Sequence, residues 1–234
     1  IAYRGVTYAD TICPSTAYVM EGSLVAKGAA PWTALIWRPE RIGTLAVGPS
    51  SRVLCGGTVV RTGWVLTAAH AVTWQPTVDV VVVGGTPRAV ARVVIHPGYR
   101  QLPQSLIDAA MAADDSGVIT RFLESSDDIA LLQLAEPVSG IAPVRIYRGP
   151  EVGKVIRIVG RGATGNGSVG HPPQGPNRTD LRHGYNRIDA AEGRWIDYTF
   201  DAPPAALALE ASAGNGDSGG PLLIAAGSEW QVAG

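Results

Sequence analysis

The sequence predicts an all-β protein, built as a barrel or a sandwich. Short runs of β-branched residues recur along the chain, and glycine or proline punctuates nearly every one. The overall count agrees: 29 Gly and 17 Pro in 234 residues suit many turns joining short strands. Spacing of this kind favours a barrel or sandwich over βαβ units.

The predicted strands begin at residues 33–37 (TALIW) and 64–67 (WVLT), followed by 78–83 and 89–95. Residues 129–134 (IALLQL) and 154–159 continue the pattern, then 185–190, 195–200 and 221–224. Two stretches break it. Residues 103–115 carry Leu106, Ile107, Ala110 and Met111 at helical spacing, which predicts a short helix. Residues 163–176 hold four Gly and three Pro and read as an irregular loop. No repeats are visible, and Ser139-Gly140-Ile141-Ala142-Pro143 is the best candidate for a connection between two halves.

Composition narrows the function. The chain is 46% hydrophobic and 17% charged, enough to bury a core. Its formal net charge is -1, from 19 Lys+Arg against 20 Asp+Glu, so charge makes no case for nucleic acid or an acidic membrane surface. No uninterrupted apolar run is long enough to span a bilayer. Cys13 and Cys55 allow one bridge at most, not a disulfide scaffold. The chain opens on Ile1 rather than Met, and it stops at Gly234 straight after a strand-like run at 229–233. These ends predict a fragment or a processed product.

The chemistry concentrates in Gly214-Asn215-Gly216-Asp217-Ser218-Gly219-Gly220-Pro221. A serine hydroxyl needs a base to become a nucleophile. It also needs backbone N–H groups aimed at the developing oxyanion, and glycines permit that close approach. Alone, the segment reads equally well as a Gly-rich turn. It has company in Thr67-Ala68-Ala69-His70, at the end of an apolar strand, and in Asp127-Asp128-Ile129-Ala130-Leu131-Leu132, where a carboxylate precedes a buried strand. A lone histidine or aspartate in either setting is usually structural, but the order His, Asp, Ser discriminates. The G-x-S-x-G elbow of α/β-hydrolases needs its acid and histidine after the serine, and no histidine follows His183. An Asp, His, Ser order needs an acid before His70, where only Asp10, Glu21 and Glu40 stand, none in a recognisable setting.

These three motifs resemble those of the chymotrypsin/trypsin-like serine peptidases, of a bacterial secreted type. Leu54-Cys55-Gly56-Gly57-Thr58, Pro31-Trp32 and residues 91–99 add further matches, and the resemblance runs from about Val19 to Gly234. It implies two antiparallel β-barrels with the active site between them, the second incomplete at the C-terminus. Residues 1–18 would be a pro-segment or N-terminal extension, 19–140 the first barrel with His70 and Asp128, and 141–234 the second with Ser218. Ser218 would be the nucleophile, His70 the general base and acid, and Asp128 the group that fixes the imidazole tautomer. Asp127 competes for the last role, but the match to Asp-Ile-Ala-Leu-Leu favours Asp128. The N–H groups of Gly216 and Ser218 would form the oxyanion hole.

The resemblance also bears on activation and specificity. Val19 stands where relatives have a freed N-terminus, whose ammonium would pair with Asp217. Tyr18 precedes it, not Arg or Lys, so trypsin-type activation is not expected. Ser212 would floor the specificity pocket; without an acid there, apolar or aromatic substrate side chains are expected over basic ones. The family's usual cysteine after the histidine is Ala71, and the one before the nucleophile is Gly214, so Cys55 lacks its usual partner. A Cys13–Cys55 bridge would tie the pro-segment to the barrel. The long stretch between Tyr99 and Asp128 would overhang the cleft and narrow access to it.

Other chemistry fits less well. Gly160-Arg161-Gly162-Ala163-Thr164-Gly165 matches a dinucleotide fingerprint with Asp180 downstream, but the prolines and glycines that follow forbid the required helix. His70, His96, His171 and His183 lack metal-ligand spacing. Neither a cofactor nor a metal is expected. The expected partners are polypeptide substrates, the assembly a monomer, and the location secreted or periplasmic. A non-catalytic binding protein on the same fold, or an inactive fragment, is the alternative; the presence of all three triad residues argues for an enzyme in the full-length parent. Asn166-Gly167-Ser168 and Asn177-Arg178-Thr179 are glycosylation sequons that carry meaning only in a source that glycosylates them.

Overall fold

A computed structural model describes residues 2–3, 6–7, 23–24, 30, 32–37, 41–42, 45–46, 53–73, 78–115, 117–166, 180–214 and 216–234. One small ribbon and one short strand come first in the chain. The strands β1 (Ala2–Tyr3) and β2 (Val6–Thr7) pair with each other, and β3 (Ser23–Leu24) pairs far ahead in the chain. Then come β4 (Thr33–Trp37), the ribbon of β5 (Arg41–Ile42) and β6 (Leu45–Ala46), β7 (Val53–Arg61) and β8 (Trp64–Thr67). A single helical turn, α1 (His70–Thr73), precedes β9 (Val80–Val83) and β10 (Thr86–Ile95). Two helices, α2 (Gln104–Ala113) and α3 (Gly117–Glu124), lead to β11 (Ala130–Leu134).

Six of these strands close into a barrel in the order β10-β11-β8-β7-β4-β9. Alternation builds its core, because successive strand side chains point to opposite faces. Along β11 every second residue is buried, and β8 does the same. Ile36, Val59, Val65, Val81, Val83 and Leu132 are thereby removed from solvent and pack in one cluster, each contributing roughly 1.5–3 kcal/mol by burial. Cys55 is buried in the same cluster, while Cys13 lies outside the described residues.

The second half holds β12 (Arg145–Ile146), β13 (Val155–Gly160), β14 (Arg182–Glu192), β15 (Trp195–Tyr198), β16 (Leu222–Ala226) and β17 (Glu229–Val232). With β3 they form a seven-stranded sheet, ordered β12-β17-β16-β13-β14-β15 with β3 on β14, curled into a half-barrel. The expected all-β, two-barrel architecture is therefore observed, with the second barrel open. Its own core gathers Ile156, Ile158, Ile188, Ala211 and Ile224.

A third cluster joins the halves. Val144, Val159, Leu223 and Val232 of the second half pack with Trp32 and Leu66 of the first. The stretch between β11 and β12 is stitched to the first barrel by Val138 N–H on Thr62 O at 2.5 Å and Val144 N–H on Val59 O at 2.8 Å. The segment predicted as one helix from 103 to 115 is α2, but a second helix, α3, follows it. Residues 118–122 are mostly β-branched or aromatic, so helix propensity there is weak. Packing of Ile119, Val118 and Phe122 onto Leu102, Ile107 and Ala110 decides the structure instead.

Candidate active site

Strand β8 ends at Thr67, and buried Ala68 and Ala69 turn the chain so that His70 opens α1. Strand β11 pairs with β8 in the register Ala130↔Thr67, which brings Asp128, two residues upstream, beside the histidine. Both carboxylate oxygens of Asp128 are used. Oδ2 lies 2.6 Å from His70 Nδ1, and Oδ1 accepts the His70 backbone N–H at 2.8 Å. Burial pushes the Asp128 carboxyl up. The hydrogen bond and charge of His70, with the His70 and Ala69 backbone, outweigh burial and hold it below the usual carboxylate value. An ionised Asp128 places the proton on Nδ1 and leaves a lone pair on Nε2. That Nε2 is buried and has no hydrogen-bond partner among the described residues.

Asp127 faces elsewhere. It ion-pairs with Arg194 and lies 3.3 Å from His96 Nδ1. Of the two neighbouring acids, Asp128 is the one that stands beside His70. Tyr99 is a neighbour that sequence reasoning did not single out. Burial first, and then the Asp128 charge, raise its phenol above the ordinary value, and its hydroxyl lies 3.3 Å from Thr73 Oγ1 in α1.

Ser218 is 7% exposed and sits in a tight turn between β15 and β16. Asp217 N–H bonds Gly214 O at 2.8 Å and Gly220 N–H bonds Asp217 O at 2.7 Å. The turn docks on the first barrel through Gly56 N–H, which donates to Ser218 O at 2.8 Å. Gly219 has φ +76 and lies so close to Thr67 and Ala68 that a Cβ would stand 2.7 Å from the Ala68 nitrogen. Thr67 Oγ1 donates to Gly56 O at 2.8 Å, completing the junction.

Asp217 is 4% exposed and turned inward. Gly162 N–H donates to its Oδ1 at 2.5 Å, and Gly214 N–H to its Oδ2 at 2.7 Å. A Cβ on Gly162 would stand 2.6 Å from the carboxylate carbon. The glycines of the fingerprint-like Gly160-Arg161-Gly162 thus make room for a carboxylate from the serine turn. Nothing local in the sequence signals this. Val19, the expected partner of Asp217, lies outside the described residues. Ser212 is buried and hydrogen-bonded to Tyr198, whose phenol burial raises against the Ser212 and Ala213 hydrogen bonds.

One cavity of about 620 Å³ is lined by His70, Asp128 and Ser218 together. Leu102, Ile119 and Leu123 of the helical insertion also line it, as do Trp195, Ile196 and residues 232–234 of the second half. The arrangement sets a carboxylate-held imidazole and a turn-held serine at the junction of two β-barrel halves.

These features define a class: two-barrel proteins with a histidine and an aspartate from one half and a serine from the other. The family model for trypsin matches residues 19–234, and the chain belongs to the trypsin family. Its relatives include a snake venom serine protease of Crotalus durissus durissus, 31% identical over 183 residues. That match covers 74% of this chain and 64% of the relative, so the chain spans under two thirds of that protein's length. The snake venom serine protease ussurin of Gloydius ussuriensis is 28% identical over 74% of this chain and 70% of its own length. A trypsin of Saccharopolyspora erythraea is 26% identical over 76% and 74%.

Proposed function

We propose that the protein is a serine endopeptidase. The observation that carries this reading is the two-point grip of Asp128 on His70, with Nε2 unpartnered among the described residues and with His70 and Ser218 lining one cavity. In the proposed reaction Ser218 Oγ attacks a peptide carbonyl while His70 Nε2 takes the hydroxyl proton. The oxyanion meets the N–H groups of Gly216 and Ser218. His70 then returns the proton to the leaving amine, the peptide bond breaks, and an acyl-enzyme remains. Water, deprotonated by His70, hydrolyses the ester and restores Ser218. Asp128 stays ionised throughout and stabilises the imidazolium.

The finer reading extends to specificity and activation. Ser212 floors the specificity pocket; with its hydroxyl on Tyr198 it brings no charge, which suits apolar or aromatic side chains. Residues 1–18 form a pro-segment, and cleavage after Tyr18 frees Val19 to pair with Asp217. The reading includes a secreted or periplasmic setting and action as a monomer on polypeptides; the relatives named from venom support secretion.

An organophosphate serine reagent tests the central claim. We expect one equivalent bound at Ser218, none in Ser218→Ala, and loss of hydrolysis with labelling. A chain that never labels overturns the peptidase reading, in favour of a binding protein on this fold or an inactive fragment. In the same preparation, a first residue other than Val19 overturns the activation model. Cleavage after Arg in preference to Phe or Leu overturns the pocket.

A further inference from the structure

The helical insertion and the β14–β15 hairpin belong to different halves of the molecule, yet they meet over the cavity. The insertion is a braced unit. Leu102, Ile107, Ala110 and Ile119 form its own apolar cluster. Arg100 fixes its base: its N–H bonds Ser126 Oγ at 2.8 Å, its carbonyl accepts from Ser126 Oγ at 2.9 Å, and its guanidinium lies 5.2 Å over the Phe122 ring. The hairpin turns through Gly193 at φ +62, and Arg194 stands at its tip. From there Arg194 reaches the insertion with both terminal nitrogens. Nη1 pairs with the Asp127 carboxylate, and Nη2 donates to Glu124 O at 3.0 Å.

The fork ties the insertion to the hairpin where both line the cavity, since Asp127 and Arg194 are themselves part of its lining. Ile119 and Leu123 of the insertion and Trp195 of the hairpin line the same cavity as His70 and Ser218. While it holds, the fork would bar an extended polypeptide from passing between the insertion and the hairpin. The contact is also exposed, with side chains 50% and 23% accessible for Arg194 and Asp127, so salt screens it and opening it is inexpensive.

We propose that Arg194 is a specificity-determining latch: it closes one end of the cleft to extended chains and favours short peptides with an apolar residue in the walled end. This rests on the hydrolase reading above. The test compares a short apolar peptide amide with the same sequence lengthened by several residues, first on one side and then on the other. Each rate is normalised to the sites labelled by the serine reagent. We expect wild type to disfavour extension on one side only, by about fivefold, the scale of an exposed ion pair with one added hydrogen bond. Arg194→Gln should remove that discrimination, and Arg194→Lys, which keeps the charge but not the fork, should retain part of it. Raised salt should act on wild type as Arg194→Gln does. Equal cleavage of both lengths by labelled wild type, or unchanged discrimination in labelled Arg194→Gln, overturns the latch and leaves the hydrolase standing. Absence of labelling overturns both.

Discussion

At the Asp128 carboxylate both oxygens are occupied, one by the imidazole and one by the backbone that carries it. A neutral amide in its place keeps the shape but presents its own N–H to one of two donors. The imidazole then loses its fixed tautomer, and we expect Asp128→Asn to lower kcat by about 10⁴-fold, the scale of that change in a serine-histidine-aspartate site. Stability carries a second signature. The Asp128 carboxyl is held below its unfolded value. Its contribution is therefore complete above the unfolded carboxylate value, and it is lost as pH falls through the lower, folded one. Urea unfolding followed against pH should show a shallower acid-side slope in Asp128→Asn than in wild type. His70, Asp128 and Ser218 were legible because each sits in a short motif whose order excludes other folds. Arg194 was not, since its partner Asp127 is distant in sequence and only the fold brings them together.

At the scale of elements, the serine turn is shaped by a strand end it never touches in sequence. Gly160 closes β13, and Gly162 just beyond donates its N–H to Asp217. In the sequence these glycines look like a failed nucleotide motif, because the reason for them arrives only with a carboxylate from a later turn. Gly162→Ala drives a methyl into that carboxylate. We expect about 1–3 kcal/mol of destabilisation by overpacking, read from urea unfolding. Labelling at Ser218 should also slow, because Asp217 N–H and carbonyl hold the turn. Unchanged labelling in a destabilised variant would separate the seat of Asp217 from the placing of Ser218. The strands themselves were largely legible, since short apolar runs bounded by turn residues become alternating burial on β8 and β11. The second insertion helix was not, because neighbours rather than propensity make it helical.

Across the whole molecule, the site is split unevenly. The His70–Asp128 pair comes from adjacent strands of one closed barrel, so that barrel alone positions it. Ser218 comes from the second half and reaches the pair only through docking: the Gly56–Ser218 hydrogen bond, the close approach at Gly219, and the cluster around Leu223. Leu223 is fully buried in that cluster, five residues after Ser218, where the turn has run into β16. Leu223→Ala should cost about 2–5 kcal/mol, and the loss should fall on docking before it falls on the first barrel. Two readouts separate these. The low-field proton NMR signal of the His70 Nδ1–H reports the pair, and the serine reagent reports the assembled site. In a urea titration of Leu223→Ala, labelling should disappear at lower urea than the imidazole signal, with a gap wider than in wild type. Should both vanish together in wild type and variant alike, the halves unfold as one cooperative unit, and the first barrel does not hold its half of the site unaided.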